Sequence, residues 1–163
     1  MMAGLLLAVV LFSGCASTRP GALEPAEQGW VSREVFRQPL YAAFQAGYDT
    51  ARVAEAFIPL LRSSTEGIAV TVFFGGWCSD SKREVPRFLK VADAADMPDS
   101  AIRFYALDRT KRSADGMTEK FRIEKVPTFI VLKRGEEVGR ITESPTASME
   151  ADLLTILAGA RVR

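Results

Sequence analysis

Residues 68–82 read IAVTVFFGGWCSDSK, and this stretch decides the fold. Ile68 to Phe74 is an unbroken apolar, β-branched and aromatic run. Such a run suits a strand covered on both faces, as in a sheet with helices on either side. Gly75-Gly76 then breaks the strand, and a helix with Val85, Phe88, Leu89 and Ala92 on one face begins around Cys78 or Ser79. A thiol at a helix start meets unpaired backbone N–H groups and the positive end of the helix dipole, which favour a thiolate. Ser81 lies three residues on, and its hydroxyl is placed to donate to the sulfur. Lys82 and Arg83 add positive charge, while Asp80 opposes it. A buried, inert cysteine is the alternative for Cys78.

Working outward, helices and strands alternate. Residues 30–48 hold Trp30, Val35, Phe36, Tyr41, Phe44 and Tyr48, a short strand or draped extension. Asp49 or Thr50 is placed to cap a helix carrying Val53, Ala54, Phe57 and Ile58, which Pro59 ends or kinks. Ile102 to Leu107 is the next strand, and Ser113 to Phe121 a short helix. Thr128–Leu132 and Val138–Thr142 flank the turn Lys133–Glu136 as an antiparallel hairpin. Ser144-Pro145-Thr146 opens a last helix with Met149, Leu153, Ile156 and Ala160 on one stripe. The expected class is α/β, a mixed sheet with helices on both faces.

The whole chain has 163 residues, 21 Lys and Arg against 20 Asp and Glu, no His and two Cys. That length makes one domain with a real core. The charge balance argues against a nucleic-acid surface. The missing His removes His-based acid–base catalysis and most zinc sites. There is no Cys/His cluster for a metal and no glycine-rich phosphate loop, so no cofactor is expected. The run Arg109–Arg112 reads as a solvated loop and Glu136-Glu137 as plain surface.

The second cysteine belongs to a different kind of segment. Leu5 to Phe12 is apolar but shorter than the roughly 20 residues of a membrane span, so 1–14 reads as a signal peptide. Ser13-Gly14 before Cys15 resembles the lipobox of bacterial lipoproteins, which implies a lipidated Cys15 at the mature N-terminus. An ordinary secretory signal cut near Ala16 is the alternative. Residues 15–29, with two Pro and two Gly, read as a tether ahead of a domain at 30–163. The implied location is the cell envelope: the periplasmic face of the outer membrane in a Gram-negative host, or a secreted or periplasmic protein without the lipid.

Four ordered motifs resemble the thioredoxin family. Trp77-Cys78-Ser-Asp-Ser81-Lys82 resembles its W-C-x-x-C-K, and Pro86 matches the proline of its active-site helix. Ile123 to Thr128 resembles I-x-x-[IV]-P-T, and Lys133 to Gly139 its closing hairpin. The resemblance covers roughly residues 50–160 and implies a three-layer fold around a mixed sheet of four to five strands. It also implies a cis Pro127 facing Cys78, with Val126 offering backbone hydrogen bonds to an extended substrate and Trp77 as an apolar wall. Ser81 stands where the family carries its resolving cysteine, and Val72 where thioredoxins carry a buried Asp. The implied activity is thiol–disulfide exchange through Cys78 alone, with Ser81 supporting the thiolate and an external thiol resolving the product. Protein or small-molecule thiols and disulfides are the implied partners. The alternative is a non-catalytic peptide-binding module on the same fold. Trp77-Cys78-Ser-Asp-Ser81 together with Arg83-Glu84-Val85-Pro86 and the later Gly139-Arg140-Ile141-Thr142-Glu143-Ser144-Pro145 resembles a bacterial thioredoxin-like subgroup, a resemblance that assigns no role to the last two segments.

Overall fold

The computed structural model describes residues 28–160, so the signal peptide, Cys15 and most of the tether lie outside the described residues. Strand β2 (Ile68–Phe74) is the centre of the sheet. It pairs in parallel with β3 (Ile102–Ala106) and antiparallel with β4 (Thr128–Lys133). Beyond β4 lies β5 (Glu136–Thr142), and beyond β3 the short antiparallel β1 (Gly29–Val31), giving the order β1-β3-β2-β4-β5. The parallel β2–β3 pair requires a crossover, and α3 (Ser79–Ala94) supplies it.

The period of two along β2 sorts its side chains between two cores. Val70, Val72 and Phe74 enter the larger core, with Val85, Phe88 and Leu89 of α3 and Met149, Leu153 and Leu157 of α5 (Met149–Gly159). Phe73 points to the smaller core on the opposite face, with Cys78, Tyr105, Ile123, Val126 and Ile130. Met117 of α4 (Met117–Lys120) packs against that second core. Helices therefore lie on both faces, unequally.

Residues 29–50 form part of the main core. After β1, two 3₁₀ turns lead to α1 (Ala42–Thr50), which the sequence pattern did not foretell. Phe36 packs on Phe44, Phe74 and Phe104 at 5.2, 5.2 and 5.0 Å between ring centroids. Helix α1 runs close against α3. A Cβ on Gly47 would stand 3.0 Å from Pro86 Cγ and 3.1 Å from the Lys82 carbonyl oxygen. That carbonyl is the one that Pro86, lacking an N–H, leaves without its helical donor.

Four expected boundaries move. No helix starts at Asp49 or Thr50: α1 ends there, and residues 51–54 are irregular, with the Ala54 N–H donating to the Glu150 carboxylate at 2.8 Å. Pro59 does not end a helix. It sits in the first turn of α2 (Ile58–Arg62), where a missing N–H costs nothing. Residues 113–116 form a turn, not helix, held by reciprocal Ser113–Thr118 hydrogen bonds and a left-handed Gly116 at φ 73°. The last helix starts four residues later than Pro145 suggests, capped by the Ser148 hydroxyl, which accepts from Ala151 N–H.

Asp93 of α3 ties the N-terminal segment down. Its carboxylate accepts from Arg33 Nη1 at 2.7 Å and from the Tyr48 hydroxyl at 2.6 Å. Burial works to raise its pKa, but the bonds from Arg33 and Tyr48 outweigh burial and hold the carboxyl below its ordinary value. A lowered folded-state value means the stabilisation is complete above the unfolded pKa of about 3.9 and is lost as pH falls through the lower one. Urea midpoints of wild type and Asp93→Asn should therefore differ at about pH 6 and converge as pH drops below about 4. A gap independent of pH would refute the linkage.

Candidate functional site

Cys78 is the N-cap of α3, with extended backbone (φ −81°, ψ 128°). Its N–H donates to Gly75 O and its carbonyl accepts from Lys82 N–H, both at 3.0 Å. The turn thus closes on itself before the helix begins. The thiol donates to Val126 O at 3.3 Å, and Cys78 is only 9% exposed among Phe73, Ile123, Val126 and Ile130. It is more enclosed than a helix start alone suggests, because the 123–130 segment folds over it. Tyr105 in the same core donates to Asp115 at 2.6 Å. Burial first, then that bond, pushes its pKa up to about 12, so it is neutral at physiological pH.

Ser81 is fully buried, but not as expected. Its hydroxyl makes no hydrogen bond to the Cys78 sulfur. Its oxygen instead accepts from the Gly75 N–H at 3.2 Å, because the strand-to-helix turn brings that donor above the first helical turn. Ser81 therefore braces the turn that presents the thiol. Val72 is buried in the larger core, on the face of β2 away from Cys78. Asp80 does not face the thiol alone, since Arg83 pairs with it at 2.7 Å.

Trp77 is half-buried beside Cys78, and its indole N–H donates to Leu107 O at 2.9 Å. The Arg109 guanidinium lies 5.1 Å from its ring centroid, so Arg109 is part of the site rim and not merely a solvated loop residue. The Val126–Pro127 peptide is cis, and both residues are buried. Pro127 O accepts from the Glu143 N–H at 2.7 Å, while the Glu143 side chain pairs with Lys125 at 2.7 Å. Glu143 adopts left-handed backbone at φ 62°, an unusual conformation for a residue with a Cβ. Next to it, Ser144 accepts from Arg83 Nη2 at 2.8 Å. The two unassigned sequence segments thus meet: α3 grips the 143–145 turn, and that turn holds the Pro127 carbonyl. The spacing of Arg83 and Ser144 in sequence gives no hint of that contact.

Cys78, Trp77, Val126 and Pro127 are thus brought together, and Ser81 supports them from beneath. Among the described residues no His, Cys, Asp and Glu group is arranged to hold a metal ion. Gly75, legible in sequence as a strand breaker, has a second role under the Trp77 ring that the sequence does not reveal. A Cβ there would stand 2.7 Å from Trp77 Cε2, so only glycine lets the indole lie over the turn. Gly75→Ala should displace the Trp77 ring, cost about 1–3 kcal/mol and change the rate at which Cys78 is alkylated. Unchanged tryptophan fluorescence together with unchanged alkylation would show that the ring does not depend on this gap.

The thioredoxin family model matches residues 51–155 of the chain. Thioredoxin from Chlamydia muridarum is 33% identical over 78 residues, 48% of this chain and 71% of that one. Rice thioredoxin H2-1 is 29% identical over 96 residues, 57% of this chain and 63% of its own length. Protein disulfide-isomerase A4 from Bos taurus is 32% identical over 66 residues, 40% of this chain but 10% of that protein. Among solved structures, reduced Schistosoma mansoni thioredoxin aligns at 27% identity and TM-score 0.40, covering 61% of this chain and 85% of its own. The family match spans more than half of the chain and includes the Cys78 turn, Pro127 and the closing hairpin: the chain belongs to the thioredoxin family.

Proposed function

We propose that this protein performs thiol–disulfide exchange in the bacterial envelope through one thiol, with an external thiol completing each turnover. The observation that carries the reading is Cys78 capping α3 against Val126 O, with a serine hydroxyl at position 81 where a second thiol would sit. The Cys78 thiolate attacks one sulfur of a substrate disulfide. A Cys78–substrate disulfide forms, and the other sulfur leaves as a thiolate that takes up a proton. Ser81 cannot attack that mixed disulfide. A second thiol, from a protein or a small molecule, attacks the substrate sulfur, and Cys78 leaves as thiolate. The helix N-terminus stabilises that leaving thiolate. A substrate strand approaching Val126 displaces the Cys78–Val126 hydrogen bond, so substrate docking and thiol release are one event.

The reading includes a Cys15 lipid anchor, with residues 16–28 between the membrane and the domain. Cys15→Ser should move the protein from the membrane to the soluble envelope fraction. Equal distribution of wild type and variant would sink the anchor.

A second reading is favoured by the enclosure of Cys78: a peptide-binding module without turnover. Acid quenching and alkylation of cells separate the two. Wild type should retain disulfide-linked partners, Cys78→Ser none, and Ser81→Cys markedly fewer than wild type because its second thiol releases them. Partners captured equally by wild type and Cys78→Ser, without disulfides, would establish the binding module instead.

A further inference from the structure

Two buried carboxyls have partners other than Cys78, Trp77, Val126 and Pro127. Glu84 of α3 has a side chain 2% exposed. Its Oε1 accepts from Arg83 Nε at 2.6 Å and Arg87 Nη1 at 3.1 Å, while Oε2 is buried without a hydrogen-bond partner. Glu150, in the first turn of α5, is 4% exposed and accepts from the Ala54 N–H at 2.8 Å. Both line one cleft of about 500 Å³ between the end of α1, the middle of α3 and the start of α5. A buried carboxylate oxygen with no donor is a deficit that an N–H-bearing ligand would correct.

The exposed lining of the same cleft has the opposite charge. Arg52, Arg83 and Arg87 stand at its mouth, and Arg52 makes no ion pair among the described residues. The positive end of α5 opens there as well. A simple anion would satisfy the mouth but face two carboxyls within. A simple amine would satisfy Glu84 but leave Arg52 without an anion. The volume lies in the range of small-molecule sites.

We propose that this cleft binds a small zwitterion of the amino-acid or short-peptide class. Its ammonium group donates to Glu84 Oε2 and the Glu150 carboxylate, and its carboxylate is held by Arg52 and Arg87. The site is separate from Cys78. The test is calorimetric titration of the full chain with diglycine, with acetate and methylammonium as single-charge controls. Diglycine should bind saturably at one site, at least about tenfold tighter than either control. Glu84→Gln, nearly isosteric, and Arg52→Met, a change at the exposed mouth, should each weaken diglycine by about tenfold or more. Cys78→Ser should bind as wild type does. The proposal is overturned by absence of diglycine binding at millimolar concentration, by acetate or methylammonium binding as tightly, by wild-type affinity in both cleft variants, or by loss of binding in Cys78→Ser.

Discussion

The structure depends on β2 being buried on both faces and paired on both edges. A strand in that position cannot slip, because a one-residue shift would exchange Val70, Val72 and Phe74 with Thr71 and Phe73 between two different cores. Its carboxyl end is therefore a fixed point. The chain leaves it over Gly75-Gly76, closes a turn through the Cys78 N–H to Gly75 O, and enters α3. The position of Cys78 follows from the anchoring of β2 and from the Gly75–Ser81 bond that locks turn to helix.

The second half of the site arrives from far along the chain. Val126 and Pro127 lead into β4, whose antiparallel pairing with β2 brings them over the thiol. The Glu143 N–H holds the Pro127 carbonyl, and Arg83 holds the neighbouring Ser144. Arg83 thereby links the helix that carries the thiol to the turn that supports the opposite wall. Asp80 and Glu84 pair with Arg83 and direct it. Charged residues around a thiol are commonly considered for their field. Here their first effect is mechanical, fixing where two loops meet.

The strand, the glycine turn, the helix start and the hairpin were all legible, because each rests on local periodicity or turn chemistry. The departures have tertiary causes. Ala54 gives its N–H to Glu150, so residues 51–54 stay out of the helix despite a helical apolar spacing. The Ser81 hydroxyl oxygen accepts from the Gly75 N–H, a partner that no spacing rule reveals. Arg109 sits in a basic run that reads as solvent-facing, yet Trp77 offers its ring. Helix α1 escaped notice because its packing partners, Gly47 against Pro86 and Phe44 against Phe36, bring together segments that carry no joint pattern.

By itself the sequence determined the class of fold, the thiol at a helix start and the serine at position 81. These follow from residue identity and short-range order. Only the tertiary structure decided how the thiol is held: enclosed at 9% exposure, donating to Val126 O, above a serine turned toward Gly75. Likewise only packing placed Glu84 and Glu150 in one cleft under three arginines. The physical reason is the same in each case. A hydrogen bond between residues far apart in the chain depends on where whole elements dock, and that is settled by the burial of two cores rather than by any local pattern.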